Sequence, residues 1–410
     1  MEARTQFPKT KVLLVSAAIP PIYAGAGIQW YRYARRLNSR SELAYLMCLR
    51  LQQDPCLNFR PEVPENRIVR IDPCRGGSEN TIGSPIRKAF LRCKLFVLVG
   101  LQMIRSCRGY NVVHVTSGSP LCVFAILWGL LLRKTTVFET TLPGCDDFVS
   151  IRRGSRFSHA VLKSAHACLA ISPQLHSLCV QGGARPERTH LIANPRDTDI
   201  FIPIDLESKV RLRQRLGIPA NGKVVVFVGG LLKRKGADLL APIYLELARK
   251  DPRVVLLLVG PECPANDLCA VDPSVSSSIR EGLKDQILAG SVILTGNVYN
   301  VHEFVQASDI FLFPSRNEGL PNAPIEAMSC GLPCVVRDIP GVTEAYIKDQ
   351  VDGIIVSGDA IDSYVDALLQ LLNDTVKYST MAKKARETVV SRWAASLADK
   401  RYMEIYNEPR

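Results

Sequence analysis

The stretch "IFLFPSRNEGLPNAPIEAMSCGLPCVV", Ile310 to Val336, contains the structural unit that recurs along the whole chain. Its apolar runs 310–315 and 333–338 predict two strands, and the segment between them predicts a loop and then a helix that ends at Gly331. The runs are apolar without alternation, which is typical of strands buried on both faces. The stretch therefore predicts a strand–helix–strand unit of a parallel sheet.

The same pattern recurs in two series of candidate strands, separated by the segment 194–209, which is rich in Pro and Asp. Two such series predict an α/β fold of two doubly wound Rossmann-like domains, 1–200 and 201–385, which we expect to face each other across a cleft. We expect a last helix, 386–410, to pack back toward the N-terminal domain. The predicted strands are 11–17, 43–49, 112–117, 135–140, 167–172, 189–194, 223–230, 254–260, 292–296, 310–315, 333–338 and 353–356.

Composition indicates an ordinary globular protein. The chain has 410 residues, of which 47% are hydrophobic and 22% are charged, enough for two or three cores. It begins without the pattern of a secretory signal peptide, and its longest apolar run, 121–132, is shorter than a membrane span. Thirteen cysteines lack C-x-x-C spacing and six histidines lack ligand spacing. These features predict a cytoplasmic protein with reduced thiols and no metal site.

Positive charge is concentrated in the first half of the chain. Residues 1–200 contain 27 Lys and Arg against 13 Asp and Glu, whereas residues 201–410 contain 24 against 26. A basic half predicts an anionic partner, which could be membrane phospholipid, a lipid-linked phosphate or nucleic acid. Nucleic acid is the weakest of the three because no DNA- or RNA-binding motif accompanies the charge. The alternative is a surface that serves solubility alone.

Segment 84–109 combines cations with apolar residues at helical spacing. Such a helix can lie on an anionic membrane, which would place the protein peripherally on the inner face of the plasma membrane. Equally, it can pack its apolar face into the core and leave a basic face in solvent. The sequence leaves both readings open.

Two acidic residues, Glu318 and Glu326, flank the loop and helix start of the opening stretch. We expect Asn322 to cap the helix and Glu326 to lie in its first turn, with the N–H groups of the helix start facing a phosphate. The carboxylate of Glu326 suits the two vicinal hydroxyls of a ribose, and Glu318 suits sugar hydroxyls or a developing positive charge. The alternative is a pair of ordinary charges without a ligand.

The whole phrase is more specific than its two glutamates. Pro-Ser, Glu-Gly-Leu-Pro, Pro-x-Glu-Ala-Met and Gly-x-Pro-x-Val-Val follow one another between Pro314 and Val336. This phrase resembles the family 4 retaining glycosyltransferases, the glycosyl transferases group 1, which have the two-domain GT-B fold. The resemblance implies that Glu318 contacts the donor sugar and that Glu326 contacts the ribose of a nucleotide-diphosphate sugar.

The segment "FVGGLLKRKGADLL", 227–240, resembles the strand and phosphate-binding turn of that family. Lys235 matches the lysine that contacts the donor diphosphate. The arginine usual in the family falls at Gly230, so Lys233 or Arg234 is the candidate substitute.

Further segments extend the resemblance over nearly the whole chain. "LTGNVYN", 294–300, resembles the segment that lines the nucleotide base, and Gly25 to Gly27 match a glycine loop that faces the donor phosphate and the acceptor. Gly341 and Glu344 match positions after the two glutamates. The implied donor-binding residues are Glu326, Gly319, Leu320, Asn322, Gly230, Val298, Gly25 and Gly27.

One departure from the family lies in the first half. Many members have a cleft histidine after the strand that corresponds to 135–140, and Thr141 stands at that position here. Glu139 and Asp146 are close in sequence and are, with Thr141, the acceptor-side candidates. Either polar neighbours replace the histidine, or the enzyme works without it, or the protein is not catalytic.

The resemblance implies a hexosyltransferase-type glycosyltransferase (EC 2.4), with Glu318 and Lys235 as catalytic residues. It would move a sugar with retention from a UDP- or GDP-sugar to a glycan or lipid-linked acceptor, in glycan, polysaccharide or glycolipid biosynthesis, without a cofactor or metal ion. Two alternatives remain: a non-catalytic relative that binds nucleotide sugar or acts as a scaffold, and another GT-B enzyme such as an epimerase or a phosphorylase.

Overall fold

The computed structural model describes residues 10–19, 25–39, 43–49, 62–72, 85–262 and 271–408. The described chain divides into two compact units. The first unit takes in the described residues up to Ala193 and those from Asp399 onward, and the second takes in Asn194–Ala398.

The first unit is built on a parallel sheet of seven strands in the order β3-β2-β1-β4-β5-β6-β7. The order reverses between β1 and β4, which are hydrogen-bonded neighbours. Its strands are β1 Lys11–Val15, β2 Leu43–Leu49, β3 Ile68–Ile71, β4 Val112–Thr116, β5 Thr135–Thr140, β6 Ala167–Ala170 and β7 Thr189–Leu191. Its helices are α1 Gly25–Ser39, α2 Pro85–Arg105, α3 Pro120–Leu131, α4 Phe148–Gly154, α5 Arg156–Lys163 and α6 Pro173–Gln181.

The second unit repeats this plan with a parallel sheet of six strands in the order β10-β9-β8-β11-β12-β13. Here the order reverses between β8 and β11. The strands are β8 Lys223–Val228, β9 Val254–Val259, β10 Val292–Leu294, β11 Ile310–Phe313, β12 Cys334–Arg337 and β13 Ile354–Val356. The helices are α7 Leu206–Leu216, α8 Leu240–Lys250, α9 Pro273–Gly282, α10 Lys284–Leu288, α11 Val301–Gln306, α12 Asn322–Ser329, α13 Ile361–Asn373 and α14 Thr375–Trp393. The last helix, α15 Ala395–Tyr406, begins at the end of the second unit and belongs to the first unit from Asp399 onward.

The predicted α/β class is confirmed, and each of the twelve predicted strands is present. The strand that the sequence missed is β3, Ile68–Ile71. It lies at the edge of its sheet, and only Ile71 is fully buried. Because Arg70 interrupts its short apolar run, β3 lacks the continuous pattern of the central strands.

The segment predicted as one C-terminal helix, 386–410, instead contains the end of α14 and the whole of α15. The helices break at Ala394, where the backbone of Arg196 forms a parallel bridge. The Arg196 N–H donates to Trp393 O at 2.9 Å, and the Ala395 N–H donates to Arg196 O at 2.9 Å. This pairing takes the place of helical hydrogen bonds, and neither Gly nor Pro marks it in the sequence.

The apolar segment 121–132 forms nearly all of α3, half of whose residues are buried. Within the described ranges, no helix combines the length and apolar character needed to cross a membrane.

Candidate functional site

Two loops of the second unit meet where the strand order of its sheet reverses. The first follows β8 and contains Gly229, Gly230 and the 3₁₀ turn Lys233–Lys235. The second follows β11 and runs from Pro314 to Pro321. In doubly wound sheets, ligands bind beyond the carboxyl ends of the strands at this switch point. The two stretches that the sequence singled out are therefore adjacent in the fold.

Glu318 lies at the centre of this arrangement as a buried carboxylate. Its Oε1 accepts hydrogen bonds from Lys235 Nζ at 2.9 Å, Arg234 Nη1 at 3.3 Å and Ser315 Oγ at 2.9 Å. Burial raises the pKa of Glu318, but the charges of Lys235 and Arg234 outweigh it and hold the pKa below its ordinary value. Among the residues that the structure describes, no donor contacts Oε2, so this oxygen can accept from a ligand.

The backbone of Gly236 brings the Lys235 turn close to the second loop. Gly236 has φ +69°, and a Cβ built on it would lie 2.1 Å from Pro314 O, so only glycine fits there. The ammonium of Lys235 also lies 5.3 Å from the centre of the Phe313 ring, within cation–π range. Lys235 is thus held between Glu318 and the end of β11.

Arg234 also contacts this site. Its Nη1 donates to Asn317 O at 2.6 Å as well as to Glu318, whereas the side chain of Lys233 is exposed. Gly230, directly after β8, has no side chain to offer. Of the two proposed substitutes for the missing arginine, Arg234 is therefore the one that lies beside Glu318.

Helix α12 begins one residue earlier than expected. Pro321 is the N-cap and Asn322 is the first helical residue, with no side-chain cap, so the prediction that Asn322 caps the helix is wrong. Glu326 is consequently the fifth residue and lies in the second turn, not the first. Because Pro321 and Pro324 have no N–H, the helix start offers the N–H groups of Asn322 and Ala323.

The remaining donor-side candidates lie around these elements. Glu326 is buried on α12, and Gly319 and Leu320 are buried in the loop that precedes it. Val298 is buried after β10, the strand at the edge of the sheet two positions from β8. Glu318, Gly319, Leu320 and Lys235 therefore lie in the two loops that meet at the switch point, whereas Val298 follows the edge strand β10.

In the first unit, Gly25 and Gly27 form the first turn of α1, not a loop, which corrects the predicted glycine loop. A Cβ on Gly27 would lie 1.9 Å from Ala18 O, so glycine lets the helix start approach the chain that leaves β1. The N-terminus of α1 follows β1, and the strand order of the sheet reverses between β1 and β4.

Asp146 organises the loop that follows β5. It accepts from Thr140 Oγ1 at 3.0 Å, Thr141 Oγ1 at 2.7 Å, and the N–H groups of Thr141 at 2.9 Å and Leu142 at 2.7 Å. Asp147 then caps α4 by accepting from the Ser150 N–H. The carboxylate of Asp146, which the sequence analysis also gave as an acceptor-side candidate, therefore fixes Thr141 in place.

Glu139 belongs to a buried cluster with His114 and two tyrosines of α15, which the sequence did not predict. Tyr402 Oη donates to Glu139 Oε2 at 3.1 Å, His114 Nε2 lies 3.7 Å from the same oxygen, and His114 Nδ1 lies 2.7 Å from Tyr406 Oη. Burial raises the pKa of Glu139 to about 8 and lowers that of His114 to about 3. Burial therefore favours the neutral form of both groups.

No cluster of three or more His, Cys, Asp or Glu side chains suited to a metal ion occurs within the part of the chain that the structure describes.

Residues 208–388, which contain all these second-unit residues, match the family model "Glycosyl transferases group 1". The match covers less than half of the chain, so this part of the chain is similar to the group 1 glycosyl transferases. The resemblance in the sequence is thus confirmed.

Curated relatives align mainly through part of the chain. An Escherichia coli "UDP-Gal:alpha-D-GlcNAc-diphosphoundecaprenol alpha-1,3-galactosyltransferase" is 31% identical over 217 residues, 50% of each chain. A Corynebacterium aurimucosum "D-inositol 3-phosphate glycosyltransferase" is 31% identical over 219 residues, 52% of this chain and 50% of that protein. The chain therefore spans about half the length of these curated relatives.

Solved structures share the fold over nearly the whole length. Anabaena HepE, crystallised with UDP and glucose, has a TM-score of 0.73 at 20% identity and covers 98% of this chain and 100% of its own. Sucrose-phosphate synthase from Thermosynechococcus elongatus has a TM-score of 0.73 at 19% identity, covering 97% and 98%. The two parallel sheets with alternating helices are those of the GT-B fold, as the resemblance implied.

Proposed function

We propose that this chain is an active hexosyltransferase of the group 1 glycosyl transferases, which moves a sugar, with retention, from a nucleotide-diphosphate sugar to a hydroxyl acceptor. The observation that carries the proposal is the convergence of Lys235 and Arg234 on the buried carboxylate of Glu318 at the switch point. Cations at this place suit a diphosphate, and the open oxygen of Glu318 suits a sugar hydroxyl.

The leaving group of this reaction is a nucleoside diphosphate, so negative charge builds on its oxygens as the glycosidic bond breaks. Lys235 and the N–H groups of Asn322 and Ala323 would stabilise that charge, because they are fixed before the reaction begins. Glu318 would accept from the transferred sugar and oppose the positive charge that develops on it. Glu326 would accept from the ribose, and Val298 would contact the base.

We propose that transfer needs no metal ion, because Lys235 and Arg234 supply the positive charge that a divalent cation supplies in other transferases. The acceptor would bind the first unit, near Thr141 and the start of α1. The name of the Escherichia coli relative contains a diphosphoundecaprenol acceptor, which supports a lipid-linked or glycan acceptor for this chain. Such a role places it at the cytoplasmic face of a membrane, in glycan or glycolipid synthesis.

A donor screen tests the proposal. The purified protein is heated with UDP- and GDP-sugars, and release of nucleoside diphosphate is then followed with extracted lipid acceptors, with and without EDTA. We expect one class of donor to raise the melting temperature in proportion to its concentration over its affinity, and turnover to survive EDTA. Tight binding without turnover would support the non-catalytic scaffold instead, and no binding by either class would overturn the proposal.

Replacing Glu326 by alanine should weaken donor binding by about 1–3 kcal/mol, because the ribose hydroxyls lose a charged acceptor. Isothermal titration with the donor identified by the screen measures this change. Glu281→Ala, on the exposed surface of α9, is the matched control and should bind as the wild type does. Equal affinity in the Glu326 variant would leave Glu326 only a structural role.

We further propose that an anionic membrane surface binds the first unit through helix α2. Four of its apolar side chains are exposed: Phe90 by 65%, Val97 by 52%, Leu101 by 46% and Ile104 by 46%. Their spacing of seven, four and three residues places them on one stripe, whereas the core residues of α2 lie on the opposite side. The helix therefore has a second apolar face, which is exposed to solvent and lies opposite the face that packs into the core.

The charge around α2 favours an anionic surface. Residues 80–186 contain 13 Lys and Arg but only three acidic residues, Glu139, Asp146 and Asp147. All three are buried, so the solvent-facing charge of this region is positive. An exposed apolar stripe beside such charge is the pattern of a helix that lies in a lipid interface.

Co-sedimentation with vesicles tests this surface. We expect the protein to pellet with vesicles that contain phosphatidylglycerol, less with pure phosphatidylcholine, and less again at high salt. The double variant Val97→Ser, Leu101→Ser should bind roughly tenfold more weakly, since each side chain buries apolar area in lipid. Leu245→Ser, an equally exposed leucine of the second unit, is the control. Equal pelleting with both kinds of vesicle would contradict the attraction to anionic lipid. No pelleting with either would contradict membrane binding through α2.

A further inference from the structure

Arg316 joins the two loops at the switch point through its side chain. Nη1 donates to Lys233 O at 2.6 Å and to Asp238 Oδ1 at 2.6 Å, and Nη2 donates to Asp238 Oδ2 at 3.0 Å. Nε donates to Asp359 Oδ2 at 3.1 Å. Four hydrogen bonds therefore commit the guanidinium to protein groups, so Arg316 is arranged to hold the loops together.

The backbone of the two loops is joined at the same place. The Arg316 N–H donates to Arg234 O at 2.8 Å, and Arg234 Nη1 returns a bond to Asn317 O at 2.6 Å. Gly236 and Pro314 make the close approach described above. These contacts tie the 3₁₀ turn to the second loop at several points, so the turn has little freedom to move relative to that loop.

In the sequence, Lys235 lies between Lys233 and Asp238, the two residues of the first loop and its following turn that accept hydrogen bonds from Arg316. The carbonyl of Lys233 is two residues before it and the carboxylate of Asp238 is three residues after it. The position of its ammonium relative to Glu318 Oε1, 2.9 Å away, depends on the position of this turn. A long flexible lysine side chain stays on its target only if its backbone and neighbours are fixed.

We propose that Arg316, with Asp238 as its partner, is a positioning residue that fixes Lys235 on the diphosphate site by holding the Lys233–Lys235 turn onto the loop after β11. This inference rests on the proposed function, because it takes the ligand of Lys235 to be a nucleoside diphosphate. Lysine cannot replace arginine here, since an ammonium cannot make the two parallel bonds to Asp238 and still reach Lys233 O.

The test compares the affinities of UDP and UMP, and of GDP and GMP, for the full chain by isothermal titration. For the diphosphate that the wild type binds, Arg316→Lys and Asp238→Asn should each weaken binding roughly tenfold, while monophosphate binding changes little. In a Lys235→Met background, Arg316→Lys should cause little further loss, because the residue acts through Lys235. Arg337→Lys, which shares the partner Asp359 but does not contact the turn, is the matched control.

The outcomes separate this inference from the proposed function. If the wild type binds neither UDP nor GDP, the proposed function fails and this inference falls with it. If the wild type binds a diphosphate and Arg316→Lys binds it equally well, only the positioning role is overturned. An equal loss of diphosphate and monophosphate affinity, or additive losses with Lys235→Met, would also overturn it, because either shows a general structural effect. Melting temperatures without ligand confirm that each variant is folded.

Discussion

Replacing Glu318 by glutamine should lower kcat about a hundredfold, the order of effect seen when one charge-stabilising group is removed from a catalytic site. Glutamine keeps the shape of the side chain and its carbonyl oxygen can still accept from Lys235, Arg234 and Ser315. What it loses is the negative charge that opposes the positive charge developing on the transferred sugar. The loss should therefore appear in turnover.

The affinity for the nucleoside diphosphate should not fall with kcat. Two cations flank Glu318, and removing its charge leaves their field less compensated, so an anionic diphosphate should bind as tightly as before or more tightly. Single-turnover kinetics and isothermal titration separate the two effects. Glu281→Gln on α9 is the matched control for a lost surface charge. A variant with unchanged kcat, or one that loses diphosphate affinity instead, would contradict the role given to Glu318.

The sequence predicts the fold well wherever burial is complete. Strands such as β8 and β9 are buried along nearly their whole length, so their apolar runs are continuous and unmistakable. The edge strand β3 lacks this signal because part of it faces solvent. The break at Ala394 depends on pairing with Arg196, about two hundred residues earlier, and no local pattern encodes such a contact.

In the candidate site, too, the sequence predicts some features and misses others. Lys235 and Glu318 are far apart in sequence, but the resemblance named both, and the strand order brings their loops together. The contacts of Arg234, Ser315 and Arg316 were beyond prediction. Which side chain of a turn faces the site depends on backbone angles such as the positive φ of Gly236, and these become known only once the loops are packed.

Removing the charge of Lys235 should have the other large effect. Lys235→Met keeps much of the length and apolar character of the side chain but leaves the diphosphate without its best placed cation. We expect kcat/KM for the donor to fall about a hundredfold or more, with a weaker affinity for the nucleoside diphosphate. Lys284→Met, an exposed lysine at the start of α10, is the control and should behave as the wild type. Unchanged donor kinetics would remove Lys235 from the site.

The same variant should change the pH dependence of stability, and the sign follows from Glu318. Its pKa is lowered in the folded protein, so the ionised carboxylate contributes stability that is present above the unfolded pKa of about 4.3 and is lost as pH falls through the folded pKa. Without Lys235, burial is opposed only by the charge of Arg234 and the hydrogen bond from Ser315, so the pKa of Glu318 rises relative to the wild type. The acid loss of stability, followed by urea unfolding between pH 7 and acid pH, should therefore shift to a smaller value in Lys235→Met, because the folded and unfolded pKa of Glu318 lie closer together. Relative to Glu318→Gln alone, the double variant Lys235→Met, Glu318→Gln should show no such shift, because the titrating group is gone. A shift that persists there would mean that another carboxylate, and not Glu318, is the partner of Lys235.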